Sequence, residues 1–340
     1  MPAAPLSPAR HSRPVRFFCA LGRSVLVTSF LLFCAAVLCY LGRWDFVAAF
    51  TFLPFWWWGI VGLSLALAGW FFERAHRTFF LLCFMWVAAT LTLSDDISRL
   101  LLSRLESHQF SHKNKVAVRV RVLTLNCAGR AAAAMEVLSE KPDLVLLQES
   151  PPEDAVAVLA RKLFGDEGHY LYGLDCSIIA HGQIEALPVP KGNHFARAKI
   201  RFADGEEIEA VSVRLNPPEI RFDLWSPSCW AAHQADRLSR REQLAELFAQ
   251  PGWSEYSHAR IMGGDFNLPG RDGVFRLLEP NMKDAFREAG IGWGNSAIND
   301  LPVSRPDQIW ISKTYRAEVT KTKRSGFSDH RMVVSDVALK

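Results

Sequence analysis

Polar side chains stand at the ends of short apolar segments at five places in the C-terminal two thirds of the chain. In the segment 261–268, period-2 alternation puts Asp265 and Asn267 on one side of the backbone and turns Phe266 the other way. The glycines before Asp265 and the Pro-Gly pair after it are typical of a buried strand that ends in a loop. The other four places offer similar groups: Asn126, Glu149, Asp307 and the pair Asp329-His330.

Each of these residues alone has a simpler explanation. An acid at a strand end commonly caps a turn, and an isolated Asp-His pair is more often a solvated surface pair than a catalytic one. Five such places in one region, in this order, favour a common site built from carboxylates, carboxamides and one imidazole.

Charge is distributed unevenly along the 340 residues, a length that allows one large domain or two smaller ones. Residues 1–114 carry ten Lys and Arg against five Asp and Glu, whereas residues 115–340 carry 29 against 30. The pI near 8.7 therefore comes from the N-terminal third. A nearly neutral C-terminal part argues against a nucleic-acid-binding surface. The seven cysteines form no CxxC pair, so we expect neither a metal–thiolate site nor an obligatory disulfide.

Three apolar segments without charge predict transmembrane helices at 24–41, 46–72 and 78–93. They follow a cationic N-terminal tail at 1–23 and precede an amphipathic linker at 94–115. Tryptophans at 56–58 and 70 fit anchoring at the membrane interface. Burial of the three segments in a soluble core is the alternative, although such cores rarely hold so long a charge-free run.

The positive-inside rule orients these helices in a cytoplasmic membrane. The arginine-rich tail and the loop at 73–77 go inside, so the loop at 42–45 goes outside and a third crossing makes the C-terminal domain extracytoplasmic. The third segment is the shortest. If it only lies at the interface, the C-terminal domain stays in the cytosol.

Residues 116–340 read as alternating strands and helices, which predicts a layered α/β domain with helices outside the sheets. Strands are predicted at 116–126, 142–148, 170–180, 195–202, 208–215, 259–267, 308–312 and 332–339, and helices at 131–140, 155–164, 235–250 and 273–278.

The C-terminal domain resembles the endonuclease/exonuclease/phosphatase superfamily over residues 118–340. The resemblance rests on Thr-Leu-Asn at 124–126, Gln-Glu-Ser at 148–150, Gly-Asp-Phe-Asn at 264–267, Asp-Gln-Ile-Trp at 307–310 and Ser-Asp-His-Arg at 328–331. It implies a four-layer α/β sandwich, two packed mixed sheets flanked by helices, and divalent-metal-dependent hydrolysis of phosphoester bonds.

The resemblance also implies a role for each motif residue. Glu149 would be the principal ligand of Mg²⁺ (Mn²⁺ is the other candidate), with Asn126 beside it and Asp329 helping to hold the metal. Asp265 would orient or deprotonate the attacking water, and Asn267 would bind a phosphoryl oxygen. His330 would contact the phosphate or act as acid or base, with Asp307 fixing its tautomer. Hard oxygen ligands suit Mg²⁺. A sandwich that kept these residues but lost activity is the alternative.

Arg214 departs from the pattern because many members of the superfamily have a His at that place. Arginine does not donate protons at ordinary pH, but its planar fork can bind a phosphate through two hydrogen bonds. The leaving group would then be protonated by metal-bound water or would need no proton. An ion pair with a nearby acid is the simpler reading of Arg214. Arg197 is a second candidate phosphate contact.

The predicted anchor, the neutral domain and the outward orientation favour a lipid-linked phosphate, pyrophosphate or phosphodiester as substrate. The arrangement is similar to membrane-anchored bacterial members of the superfamily, including VanJ-like proteins. An aromatic loop at 217–233 would either dip into the membrane interface or cover a core edge. A membrane-tethered nuclease and an inactive membrane-anchored binding module are the alternatives. No protein partner is evident.

Overall fold

The computed structural model describes residues 13–106, 119–254 and 259–339. The chain divides into two compact units, residues 1–42 with 55–94, and residues 43–54 with 95–340. The beginning of the predicted tail (1–12), the predicted linker beyond residue 106 and the predicted first strand before residue 119 lie outside the described residues. The second unit includes a segment, 43–54, that the sequence assigned to the membrane region.

The N-terminal helices are α1 (Arg13–Gly42), α2 (Ala48–Phe52), α3 (Phe55–Glu73), α4 (His76–Leu93) and α5 (Asp95–Glu106). Three of them, Phe17–Gly42 within α1, α3 and α4, are long and apolar enough to cross a membrane. Within the first unit, the Trp86 indole donates to Ser29 Oγ at 3.2 Å, and Ser29 donates to the Gly62 carbonyl at 2.8 Å. The small residue at position 62 lets the Trp86 ring approach its helix closely.

The described strands of the second unit form two six-stranded sheets. Their bounds are β1 (Arg119–Asn126), β2 (Leu144–Gln148), β3 (Gly168–Leu171), β4 (Cys176–His181), β5 (Gln183–Ala186), β6 (Phe195–Arg201), β7 (Glu207–Arg214), β8 (Arg260–Asp265), β9 (Met282–Asp284), β10 (Asp307–Ser312), β11 (Tyr315–Lys323) and β12 (Met332–Leu339). The first sheet has the order β11-β12-β1-β2-β4-β3, and the second has the order β5-β6-β7-β8-β10-β9. Each sheet is mixed: β1 and β2 are parallel in the first and β7 and β8 in the second, whereas the other pairs are antiparallel.

The two sheets pack face to face, and helices cover their outer faces. Val122, Leu146, Ile261 and Ile309 are among the buried side chains between the sheets. Helices α6 (Ala131–Met135) and α7 (Glu153–Phe164) pack on the first sheet, α8 (Pro227–Phe248) packs on the second, and α9 (Ala285–Ala289) follows β9. The predicted four-layer α/β sandwich is confirmed.

Several elements differ from the predicted ones. Tyr170–Ala180, predicted as one strand, is the turn between β3 and β4 with parts of both, and Gly173 lies in that turn. Helix α8 begins at Pro227 rather than at residue 235, because Pro227 suits the first helical turn. The short strands β5 and β9, helix α9 and the charged edge strand β11 were not predicted. Their apolar residues are too few, or too interrupted by charges, to show a period.

Candidate active site

The two sheets bring their polar strand ends together at one edge of the sandwich. In β1, Val122 packs between the sheets while Leu123 and Leu125 pack outward, so Asn126 also faces the opposite sheet. The same alternation turns Phe266 outward and Asp265 inward, as the sequence predicted. The strand register then places three residues side by side. Arg214 lies opposite Asp265 across β7 and β8, and Asp307 lies opposite Asp265 across β10 and β8.

His330 lies between two buried aspartates. Its Nδ1 is 2.8 Å from Asp307 Oδ2, and its Nε2 is 4.0 Å from Asp265 Oδ2. One ligand-type atom from each of the three residues lies within 4.8 Å of the others, a spacing that could hold a metal ion. Asp307 is fully buried, and its Oδ1 has no hydrogen-bond partner among the described residues. A buried carboxylate oxygen without a partner is costly unless a proton or a cation satisfies it.

The surroundings raise the pKa of two groups of the site, Asp265 and His330. Burial, and then the nearby charge of Asp307, raise the pKa of Asp265. Burial opposes the charged form of His330, but Asp307 and Asp265 outweigh that effect and raise the pKa of His330 to about 10. Without a bound cation, His330 is therefore an imidazolium at neutral pH and balances part of the aspartate charge.

Asn126 connects the two sheets at the site. Its Nδ2 donates to Glu149 Oε1 and to Asp265 Oδ2, each at 3.1 Å. Its Oδ1 accepts from the backbone N–H of Ala128 at 3.0 Å, which fixes the orientation of the amide. Glu149 itself has a positive φ of 41°, an uncommon conformation for a non-glycine residue and one that occurs often at functional sites.

Arg214 also binds the carboxylate of Glu149. Its Nη2 donates to Glu149 Oε1 at 2.9 Å, and its Nη1 lies 3.4 Å from each carboxylate oxygen of Asp175. Burial opposes ionisation of Glu149, but the Asn126 hydrogen bond and the Arg214 charge lower the pKa of its carboxyl below the ordinary value. The simpler reading of Arg214, an ion pair with a nearby acid, is thus correct for this structure, and one partner is the predicted metal ligand.

A buried polar network lies beneath these residues and joins the sheets. Gln148 Nε2 donates to Ser212 Oγ at 2.9 Å, and Ser212 in turn donates to the Leu147 carbonyl at 2.8 Å. Thr124 Oγ1 donates to Gln148 Oε1 at 3.0 Å. Satisfied buried polar groups fix a unique packing, so this network holds the strand ends in register.

The turn before β12 is tied to β1. Ser328 Oγ donates to the Asn126 carbonyl at 2.6 Å and accepts from the His330 N–H at 3.0 Å. Asp329 is exposed and lies outside the group of Asp265, Asp307 and His330. It lines an open cleft together with Arg130, Asn299, Arg324 and Phe327.

Asn267 lies at the site with its amide engaged by the backbone. Its Nδ2 donates to the Leu215 carbonyl at 2.8 Å, and its own N–H donates to Asp265 Oδ1 at 3.0 Å. Its φ is 52°. Asn267 therefore orients Asp265 and connects the segments that follow β7 and β8. Its contact with a phosphoryl oxygen stays a prediction.

Arg197 is not at the site, which corrects its prediction as a phosphate contact. It is 1% exposed and pairs with Glu209 at 2.5 Å. Arg197 is in β6, opposite Val211 of β7. Val211 precedes Arg214, the last residue of β7, by three residues. The Nη1 of Arg197 donates to the carbonyls of Pro188 and Pro251. No surface remains for a substrate because the guanidinium serves the core.

Comparison with known proteins agrees with this geometry. The sequence profile of the Endonuclease/Exonuclease/phosphatase family matches residues 123–330, from β1 to His330. The chain belongs to this family. Members of the family are phosphoesterases and nucleases, and no curated protein sequence matches the chain.

Solved structures show the same fold at low identity. The endonuclease/exonuclease/phosphatase from Bacteroides vulgatus aligns with a TM-score of 0.51 and 14% identity, over 66% of this chain and 100% of that one. The one from Beutenbergia cavernae aligns with 0.50 and 15%, over 65% and 72%. The mannosyl-6-phosphatase of Bacteroides thetaiotaomicron aligns with 0.46 and 12%, over 65% and 100%. At these identities the first two alignments support the fold alone.

The structure adds residues that sequence reasoning missed. Asp175, in the turn between β3 and β4, was hidden because 170–180 was read as one strand. His194 was also missed, although its Nδ1 lies 3.0 Å from the Arg214 carbonyl. Neither residue belongs to a recognisable motif, so only the fold reveals that they are neighbours of Arg214.

Proposed function

We propose that the protein is a membrane-anchored, divalent-metal-dependent phosphoesterase that hydrolyses a lipid-linked phosphate, pyrophosphate or phosphodiester. The observation that carries the proposal is the convergence of Asp265, Asp307 and His330 with Asn126 and Glu149 at one sheet edge. Acids, an amide and an imidazole of this kind suit phosphoester hydrolysis.

The donor set fits a divalent cation. Glu149 offers a partly exposed carboxylate, Asp265 offers a buried one, and the Oδ1 of Asp307 has no hydrogen-bond partner among the described residues. Oxygen ligands of this type suit Mg²⁺ or Mn²⁺. Glu149 would hold the metal, with Asp329 as a further candidate. The predicted role of Asn126 as a ligand does not fit, because its Oδ1 accepts from a backbone N–H and its Nδ2 faces the two acids, which it would orient instead. A bound divalent cation would supply Lewis-acid stabilisation of charge on the phosphate.

The chain's own side chains would prepare the attack. Asp265 is fixed at both oxygens, by Asn126 and by the Asn267 N–H, so it can orient or deprotonate a water molecule in one direction. Asp307 holds His330 through Nδ1, which leaves Nε2 directed into the site. From there His330 would donate a hydrogen bond to a phosphoryl oxygen or to the leaving group.

Arg214 would act as a phosphate clamp. Its guanidinium is partly exposed, and its present partners are the carboxylates of Glu149 and Asp175. A cation bound at Glu149 would weaken that ion pair, and a substrate phosphate could then take over the released N–H groups in a two-point contact. Because Arg214 does not supply a proton, a leaving group that needs none, such as the phosphate released from a diphosphate, suits this site.

Two features favour a lipid substrate over a nucleic acid. Three helices have the length and composition of membrane spans. The cations of the basic cluster at 321–324 are each paired in the fold, because Lys321 and Lys323 share Glu140 and Arg324 pairs with Asp300. A basic groove for a phosphate backbone would need such side chains unpaired.

The test is a substrate panel on full-length protein reconstituted into lipid nanodiscs. Polyprenyl pyrophosphate, a phospholipid, a sugar phosphate and plasmid DNA would each be incubated with Mg²⁺, with Mn²⁺ or with a chelator. We expect metal-dependent phosphate release from a lipid substrate that disappears in Glu149→Ala and His330→Ala. Glu185→Ala, on the exposed edge strand β5, is the control variant.

Other outcomes would change the proposal. Nicked plasmid together with intact lipid would make the protein a tethered nuclease. Absence of turnover on every substrate, with membrane binding retained, would support the inactive binding module. A topology reporter fused at residue 115 tests the extracytoplasmic location.

A further inference from the structure

The short segment between α1 and α3 packs on the catalytic domain. Asp45 accepts two hydrogen bonds from Arg241 on α8, at 2.5 and 2.6 Å. Arg237, also on α8, donates to the Trp44 carbonyl at 2.9 Å and to Thr51 Oγ1 at 2.6 Å. Val47, Ala48 and Ala49 are buried. Residues 43–54 are thus an integral part of the catalytic unit.

Chain connectivity gives this packing a consequence for membrane topology. Residues 43–54 join two helices that have the length and composition of membrane spans. If both helices cross a membrane, residues 43–54 and the domain that holds them lie on one side of it. On that condition the chain between Pro54 and Asp95 crosses an even number of times, so α4 would span as α3 does.

Exposed apolar side chains lie on the packed segment and on the loop before α8, which contacts it through Phe222. Phe52 on α2 lies next to Phe222, with ring centroids 6.3 Å apart, and next to the His233 ring at 4.8 Å. Ile220, Phe222 and Trp225 are 67%, 58% and 85% exposed. Trp44 and Phe46 are exposed as well and stack on each other at 5.7 Å.

The loop that carries these side chains is ordered by polar contacts. The Trp230 indole donates to the Leu224 carbonyl at 2.8 Å, and His233 Nε2 lies 3.0 Å from the Arg221 carbonyl. Arg221 also pairs with Asp223 at 2.6 Å. These contacts satisfy several polar groups of the loop, while its large apolar side chains Ile220, Phe222 and Trp225 are exposed. That division suits a surface that rests in the membrane interface.

We propose that Trp44, Phe46, Ile220, Phe222 and Trp225 form a membrane-contact surface whose partner is the lipid bilayer that α1 and α3 cross. Tryptophan is enriched at such interfaces because its ring is apolar and its N–H is polar. The contact holds the catalytic domain against the membrane instead of leaving it on a flexible tether.

The surface also explains how the site would reach a lipid phosphate, a step that rests on the proposed function. The loop begins directly after Arg214 and Leu215, and Leu215 accepts the Asn267 hydrogen bond at the site. From Arg214 to Ile220 the chain spans at most about 20 Å, at about 3.5 Å per residue. The membrane-contact surface therefore keeps the phosphate clamp close to the headgroup region.

Fluorescence quenching tests the surface without relying on catalysis. Full-length protein and its Trp225→Phe variant would be placed in nanodiscs that contain brominated phosphatidylcholine, and the difference between them isolates the Trp225 emission. We expect that emission to be quenched. The control Trp293→Phe, in a loop on another part of the catalytic unit, removes an emission that brominated lipid leaves unquenched. If brominated lipid leaves the Trp225 emission, taken as the difference between the wild type and Trp225→Phe, unquenched, the proposal is overturned.

A second measurement links the surface to substrate access. The double variant Phe222→Ser/Trp225→Ser should lose about tenfold in rate on polyprenyl pyrophosphate embedded in a bilayer, with no change on a water-soluble short-chain pyrophosphate. An equal loss on both substrates, or no loss on either, would contradict the role in access. If the wild type hydrolyses neither substrate, the proposed function fails, while the quenching experiment still decides the membrane-contact surface.

Discussion

Arg214 Nη2 lies 2.9 Å from Glu149 Oε1, so the arginine at the place where the family resemblance implies a histidine is paired with the predicted metal-binding glutamate. Asp175 pairs with the same guanidinium from its other side. The site therefore places a guanidinium cation next to the partly exposed acid Glu149. Metal and substrate would each have to replace one partner of this ion pair.

Substitution of Arg214 by lysine tests the phosphate clamp. Lysine keeps the charge but loses the planar fork, so we expect kcat/KM to fall by about 10- to 100-fold, as for the loss of a charged hydrogen bond. Steady-state kinetics on the best substrate of the panel measures the effect. Arg201→Lys changes an exposed arginine paired with Glu207 and is the matched control. Wild-type kinetics in Arg214→Lys would limit Arg214 to a structural ion pair.

Substitution of Asn126 by aspartate tests the cation site through stability instead of activity. The Asn126 amide donates to Glu149 and to Asp265, and an aspartate would instead place a third negative charge between them. We expect the metal-free protein to lose about 3–5 kcal/mol of unfolding free energy, in the range for an uncompensated buried charge. A divalent cation should restore most of the loss and raise the midpoint of thermal unfolding more than in the wild type. If Mg²⁺ and Mn²⁺ fail to restore the variant, no cation binds between these residues.

The pKa of His330 gives a pH prediction for metal-free protein. Because Asp307 and Asp265 raise this pKa from about 6.5 to about 10, the imidazolium stabilises the fold fully below about pH 6.5. The stabilisation is lost as the pH rises through about 10. Asp307→Asn should return the pKa of His330 towards its ordinary value and remove the loss at high pH. NMR titration of labelled histidine in chelator-treated protein measures both. An unchanged pKa in Asp307→Asn would mean that Asp307 does not hold the charge of His330.

The sequence predicted the strand ends well because alternation and apolar runs fix which side chains share a face. Asn126, Asp265 and Asp307 each occupy an inward position at the end of a strand, and these are the positions that meet when two sheets pack. The family motifs then added Glu149 and His330, whose positions in turns carry no periodic signal.

Pairings between distant segments could not be predicted in the same way. In the sequence, Arg197 and Arg214 look alike because each is an arginine in an apolar strand. In the structure, Arg197 pairs with Glu209 inside the core, whereas Arg214 reaches the site. Nor does any local pattern show that Asp45 meets Arg241, since the two residues are separated by most of the chain. These contacts depend on tertiary packing.

The glycine before Asp265 is required by the close approach of β7 and β8. A Cβ at Gly264 would lie 1.9 Å from the Val213 carbonyl oxygen, and φ at this position is 155°. Backbone atoms cannot move aside without disrupting the strand pair that aligns Arg214 with Asp265. We expect Gly264→Ala to lower the midpoint of thermal unfolding by about 10 °C, corresponding to about 3 kcal/mol or more. Gly263→Ala is the matched control because its new Cβ would meet the flexible end of Leu146 at 2.8 Å. The thermal unfolding midpoints of the two variants in the same detergent should therefore differ clearly. Similar midpoints would show that Gly264 is not required by the close approach of β7 to β8.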